Sequence, residues 1–407
     1  MKKLLILLSA ILWLTQGFTS TSADGGFFRS VTVTPASRAI ELGGSEALQI
    51  GFDDLTEAPY TLRYRLIYCN PDWSPSELKQ QEYATGINEA EIHSSELSFN
   101  TRVNYVHHSF SIPDQYVSPR ISGNYIAQIY DADNSEKILL EVPFRVYENK
   151  TQFNVQINSP RRVEYSRTRQ ELSINANVDP SISIQNTQNI LLLVQQNYNP
   201  RTTRNIPLNY SNGNNLIFEL NDALTFYGIN EFRNFDIRPL TYTARGVMRN
   251  EIFENLRHID LYTDKSYHGA EYSDRDDING RYVIKAAGQS NSDVEADYAM
   301  VHFFLSSPYI PNAEVYVMGD FTAWQTSSEY LMKYDAARAE YILEILLKQG
   351  FYDYTYDVRT GNSDDFIHFE NTYYDTENDY FLFLYYRRPG DANYRLIGYN
   401  VTNSRNK

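Results

Sequence analysis

One cysteine, Cys69, is all that 407 residues offer to thiol chemistry. No intramolecular disulfide can form, so the fold depends on core packing alone. Beside strand residues the thiol reads as a small buried hydrophobe. Cys–His catalysis needs an oriented base, and the sequence places none of His93, His107 or His108 there. After a short apolar run at the N-terminus, no second hydrophobic segment of spanning length appears. The regular ten-residue alternation of an outer-membrane barrel is also missing. Basic residues are few, 36 against 51 acidic ones, for a net charge of −15. That balance argues against nucleic-acid binding and against docking on anionic lipid by charge.

Catalytic fingerprints are absent as well: there is no HExxH, GxSxG, Walker or Rossmann pattern. His107 and His108 on one strand point to opposite faces and cannot both hold one metal from a single face. Paired carboxylates are abundant, at Asp131/Asp133, Asp364/Asp365 and Glu377/Asp379. Glycosidase chemistry needs two of them about 5–10 Å apart across a cleft, which spacing on hairpins does not establish. The chain therefore reads as a non-enzyme with no cofactor and no metal.

What is present points to strands. Apolar residues make up 42 %, with 34 Tyr and 21 Phe beside 5 Met, a balance that favours sheet over helix. At about one domain per 150 residues, two or three domains are expected. Residues 1–23 read as a signal peptide: Lys2 and Lys3, an apolar stretch over 4–14, and small residues before Asp24. Its removal leaves 34 basic and 51 acidic residues, or about −17. Residues 27–150 read as an N-terminal β-sandwich of immunoglobulin or fibronectin type, with strands near 31–33, 48–52, 62–68, 105–112, 125–130 and 138–146. Residues 151–265 read as a middle sandwich and 266–292 as an acidic linker or extended crossing segment, with a short strand at 281–285. Residues 293–407 read as a C-terminal sandwich similar to early-set and starch-binding modules. Only 335–340 looks able to make a helical turn.

Three stretches carry candidate chemistry. Between two aromatic-rich strands, Asn70-Pro71-Asp72 breaks the chain and Trp73 and Pro75 punctuate a long connection, which suits a docking surface. Gly319-Asp320-Phe321-Thr322-Ala323-Trp324 resembles the turn of sugar-binding sandwich modules, where an aromatic platform stacks on a ring. The plainer reading has Phe321 and Trp324 capping the core and Asp320 satisfying turn amides. Asp274, Asp276, Asp277, Asn279 and Gly280 look like a calcium loop, but Lys285 stands at the twelfth position and the glycine at the seventh, so a solvated acidic linker is expected.

A family resemblance runs along most of this chain. Cys69, Asp72-Trp73, Pro75-Ser76, Glu82-Tyr83, Gly86, Asn100-Thr101, Asn104-Tyr105, His107-His108, Phe110 and Pro113 resemble the plug protein family of the type IX secretion system. The block 228–236, the stretch Met318–Trp324, 347–350 and 376–387 are similar to that family too. The resemblance implies a periplasmic protein that binds the outer-membrane translocon β-barrel and sterically closes its periplasmic end, without inserting into the membrane. The contact residues expected on this basis are Asp72, Trp73, Ser76, Leu78, Phe321 and Trp324. The alternative is a glycan-binding sandwich protein of the periplasm or cell surface, which requires an exposed Trp324.

Overall fold

The computed structural model describes residues 21–22, 28–56, 60–361 and 363–405. The expected signal peptide lies almost wholly outside them. The chain is all-β, arranged as three packed sandwiches. Helix among the described residues is limited to single turns such as Gln80–Tyr83 and Ser292–Glu295. The turn expected at 335–340 is instead a hairpin joining Lys333–Asp335 to Glu340–Lys348. Ala339 takes φ of 53° there.

The first sandwich pairs two antiparallel layers. One contains Leu62–Cys69, Gly123–Asp131 and Asn134–Tyr147; the other contains Phe28–Thr34, Leu48–Asp54, Val106–Ile112 and Ser94–Leu97. Alternation decides the faces: Leu62, Tyr64, Leu66 and Tyr68 all turn inward and are nearly inaccessible. They meet Phe52, Tyr125 and Phe144 in one core, with Tyr68 edge-on to Tyr125 at 5.1 Å.

The other two sandwiches depart from the expected boundaries. The middle one takes Thr151–Asn158, Arg169–Val178 and Asn215–Phe218 in one layer. Its second layer is Arg204–Ile206, Ile190–Gln196, Asp379–Tyr386 and Arg395–Asn403. The last two strands of the chain therefore complete the middle sandwich, and the third sandwich is inserted between them and the rest. Arg233–Asp236 and Leu256–Leu261, expected in the middle unit, pair instead with Gly350–Thr360 and Tyr298–Ser306. Within 266–292 the short strand expected at 281–285 is present as Tyr282–Ile284, beside Gly350–Thr360.

The physical reason lies in Asp379–Tyr386. It reads Tyr, Phe, Leu, Phe, Leu, Tyr, Tyr after its first residue, with no polar face, so it needs cover on both sides. Tyr380, Leu382, Leu384 and Tyr386 enter the middle core, while Phe381, Phe383 and Tyr385 turn toward the first sandwich. Replacing Leu382 by Ala should cost about 2–5 kcal/mol. Hydrogen exchange should show lost protection in the distant strand Arg169–Val178, and loss confined to the third sandwich would contradict this assembly.

Candidate functional site: the seams between the sandwiches

Of the expected contact residues, Trp73 and Trp324 are buried, Ser76, Leu78 and Phe321 are half-buried, and Asp72 is exposed. At the tip after Leu62–Cys69, Asp72 accepts hydrogen bonds from the backbone N–H and hydroxyl of Ser74 at 3.0 and 2.6 Å. This fixes a tight turn in which Trp73 has φ of 67°, a conformation costly for a bulky residue. The turn drives the indole inward. Trp73 is only 8 % exposed, with the Arg145 guanidinium 4.9 Å from its ring. Arg145 also lies 3.9 Å over Phe383, so one cation clamps the first sandwich onto the C-terminal strands. Ser76 accepts from the Leu78 N–H at 3.3 Å, and Leu78 packs against the first core. At this tip Trp73 therefore faces the seam, while Asp72 stays exposed.

Trp324 is likewise buried, at 2 % exposure, beside Phe232, Tyr316 and Met318. A Cβ on Gly280, which sits at φ of 82°, would come within 2.9 Å of both the Trp324 and Phe232 rings. A bare backbone is what lets the crossing segment close over the indole. Phe321 meets Tyr352 edge-on at 5.4 Å. The buried Trp324 ring offers no open platform for a sugar, and Phe321 is half-buried. Trp73 and Trp324 do share one small cleft of about 60 Å³, which is water-sized and not ligand-sized. The turn amides of Thr322, Ala323 and Trp324 go to backbone carbonyls, and the Asp320 carboxylate instead receives Arg38 of the first sandwich at 3.2 Å.

Sequence reasoning missed the strongest polar centre. Asp53, wholly buried, accepts from Lys348 Nζ at 2.5 Å and from the Tyr298 hydroxyl at 2.7 Å through one oxygen. Its other oxygen meets His107 Nδ1 at 2.7 Å. Lys348 also donates to the Asp293 carbonyl at 2.7 Å and lies 4.1 Å from the Tyr105 ring. Burial pushes the Lys348 ammonium below the usual lysine range, with Asp53 opposing that shift. The group joins strands of the first and third sandwiches. Its sequence signal was slight: two acids ending an apolar strand, and a lysine in what reads as a polar turn. His108 faces the other way, stacked on Phe52 at 5.3 Å.

A second polar centre lies where Asp277 and Asn279 cross the third sandwich. Asp277 accepts from the Phe232 N–H at 2.5 Å, and Asp353 from the Ile278 and Gly280 N–H groups at 2.6 and 3.1 Å. Asn279 donates to Asp379 at 3.0 Å and Glu377 at 3.2 Å, tying this segment to the C-terminal strands. This part of the acidic stretch is thus packed and not solvated. Burial first, then the neighbouring Asp353, pushes the Asp277 carboxyl up to about 8; burial pushes Asp353 up to about 7. Among the described residues, no group of three His, Cys, Asp or Glu side chains could hold a metal ion. Among the described residues no helix is long and apolar enough to cross a membrane.

Fold and seams together define an all-β body in which several buried polar groups join the sandwiches to one another. Comparison with known proteins adds a match over the first sandwich. Residues 28–148 match the family described as "Type 9 secretion system plug protein 1st domain", which shows the resemblance to the type IX secretion plug family. No curated protein matches. A solved structure, described as a hypothetical protein from Parabacteroides merdae, is 26 % identical with a TM-score of 0.91. The similarity covers 95 % of this chain and 99 % of that one.

Two predictions test the seams. Lys348→Met strands a buried carboxylate at Asp53 and should cost about 3–5 kcal/mol. The Asp53→Asn/Lys348→Met pair should cost less than the sum of the two single changes in denaturant unfolding. The raised carboxyls Asp277 and Asp353 favour the folded state when protonated. Their contribution is complete below about pH 4, the ordinary carboxylate range, and is lost as pH rises through about 7 and 8. The unfolding midpoint should fall across that window, and Asp277→Asn should flatten the profile.

Proposed function

We propose that this protein is a periplasmic plug that seats in, and sterically closes, the periplasmic end of the outer-membrane type IX translocon barrel, with no catalytic step. The observation that carries the reading is the plug-domain match over residues 28–148. The seams support it. A body that blocks a wide aqueous pore must resist shear between its parts, and here each sandwich is tied to both others. Arg145, Glu148–Arg395 at 2.9 Å and Tyr385–Asn124 at 2.6 Å join the first to the C-terminal strands. Asp53–Lys348 and Arg29–Glu329, the latter at 2.6 Å, join it to the third. Contact with the barrel has to be reversible, so a partner surface with polar, exposed character is expected. The buried Trp324 removes the motive for a sugar-stacking function.

The test is a tagged pull-down from detergent-solubilised outer membranes of the native host, with bound proteins identified by mass spectrometry. Capture of a very large barrel protein is the expected result. Consistent absence of any barrel in mild detergent overturns the reading.

A further inference from the structure

The seams consume most of the aromatic surface, but one face of the third sandwich is left open. Its sheet runs in the order Val247–Phe253, Leu256–Leu261, Tyr298–Ser306, Glu340–Lys348, Lys333–Asp335. Alternation sends Val301, Phe303, Leu343 and Ile345 into the core. The opposite face holds His258, His302, Phe304, Ile342 and Glu344, and it forms an open groove of about 710 Å³. Met248 and Phe253 line the same groove and stand 50 % and 62 % exposed, more apolar surface than an outward face needs for solubility.

The charges around this floor are unbalanced. Two arginines, Arg249 and Arg338, face four carboxylates: Glu251, Asp260, Glu340 and Glu344. Both arginines are already engaged. Arg249 meets Asp260 at 2.5 Å and Glu251 at 3.5 Å, and Arg338 meets Asp335 at 3.8 Å. Glu340 and Glu344 have no lysine or arginine within ion-pair distance among the described residues. Glu344 contacts only His302 Nδ1, at 3.3 Å, and His302 Nε2 faces His258 Nδ1 at 3.0 Å. A second copy of this chain, itself carrying −15, would add like charge to the groove.

From this face we infer a docking groove for a basic, apolar polypeptide segment of the translocon, its aliphatic side chains on Met248, Phe253, Phe304 and Ile342 and its cations on Glu340 and Glu344. The inference rests on the plug reading for the identity of the partner, while the groove itself is argued from its lining. Attraction of this kind steers encounter and weakens with salt, which suits a contact that must release.

The test has two arms. In the first, a fluorescein-labelled (Leu-Leu-Lys-Lys)₃ peptide is titrated into the purified full chain. Binding should weaken at least tenfold in Glu340→Lys/Glu344→Lys and stay unchanged in Glu164→Lys, an exposed site on the middle sandwich. Both variants alter outward side chains, and matching thermal melts verify their folding. No peptide binding, or equal binding by all three proteins, overturns the groove. Equal weakening in Glu164→Lys reduces it to general charge attraction and also overturns it. A change of oligomeric state in the groove variant by sedimentation would assign the face to a second copy, against the inference. In the second arm, the same variants are used in the outer-membrane pull-down. Loss of the barrel only in the groove variant supports the assignment. Capture by all three rejects the groove as the translocon contact while leaving the plug reading intact. Capture by none rejects the plug reading, and with it the translocon as partner.

Discussion

The assembly depends on a strand that cannot be satisfied by one core. Asp379–Tyr386 carries apolar side chains on both faces, and leaving either face in water would expose several aromatic rings at about 25 cal/mol per Å². It gains cover by closing the middle sandwich with one face and pressing the other against the first. The chain must return from the third sandwich to deliver it. The inserted topology, the tight contact between units and the position of Arg395–Asn403 all follow from that one requirement.

Once two sandwiches share a strand, the seams become interior, and interior polar groups need partners. The structure meets this with few, well-connected centres. Arg145 lies between Trp73 and Phe383, and Asp53 gathers Lys348, Tyr298 and His107. Asn279 bridges the crossing segment to Glu377 and Asp379. Such centres add less net stability than apolar packing of the same volume, but breaking any one partner is costly. They specify one mutual arrangement of the three bodies, a useful property for a protein whose proposed work is to occupy space.

The same economy separates buried from available aromatics. Trp73 and Trp324, prominent in the chain because tryptophan is scarce, are drawn into the seams by turns with positive φ. The residues left outside are less conspicuous: Met248 and Phe253 on an edge strand, and glutamates on a sheet face. Nothing in a local window marks them, because exposure is a property of what fails to pack against them.

The sequence by itself determined the strand class, the alternating faces of the first sandwich and the resemblance that the match over residues 28–148 supports. Each is written locally: tyrosine and phenylalanine at period two, turn residues between runs, and a motif dense around Cys69 and Trp73. Even the opposite facing of His107 and His108 follows from strand geometry alone. Only the tertiary structure decided which strands pair, that 266–292 is packed, and that Asp53 meets Lys348 across 295 positions. Period two fixes which face a side chain takes but carries no address for the partner strand. That address is set by competition among all buried faces at once, and so it exists only in the folded chain.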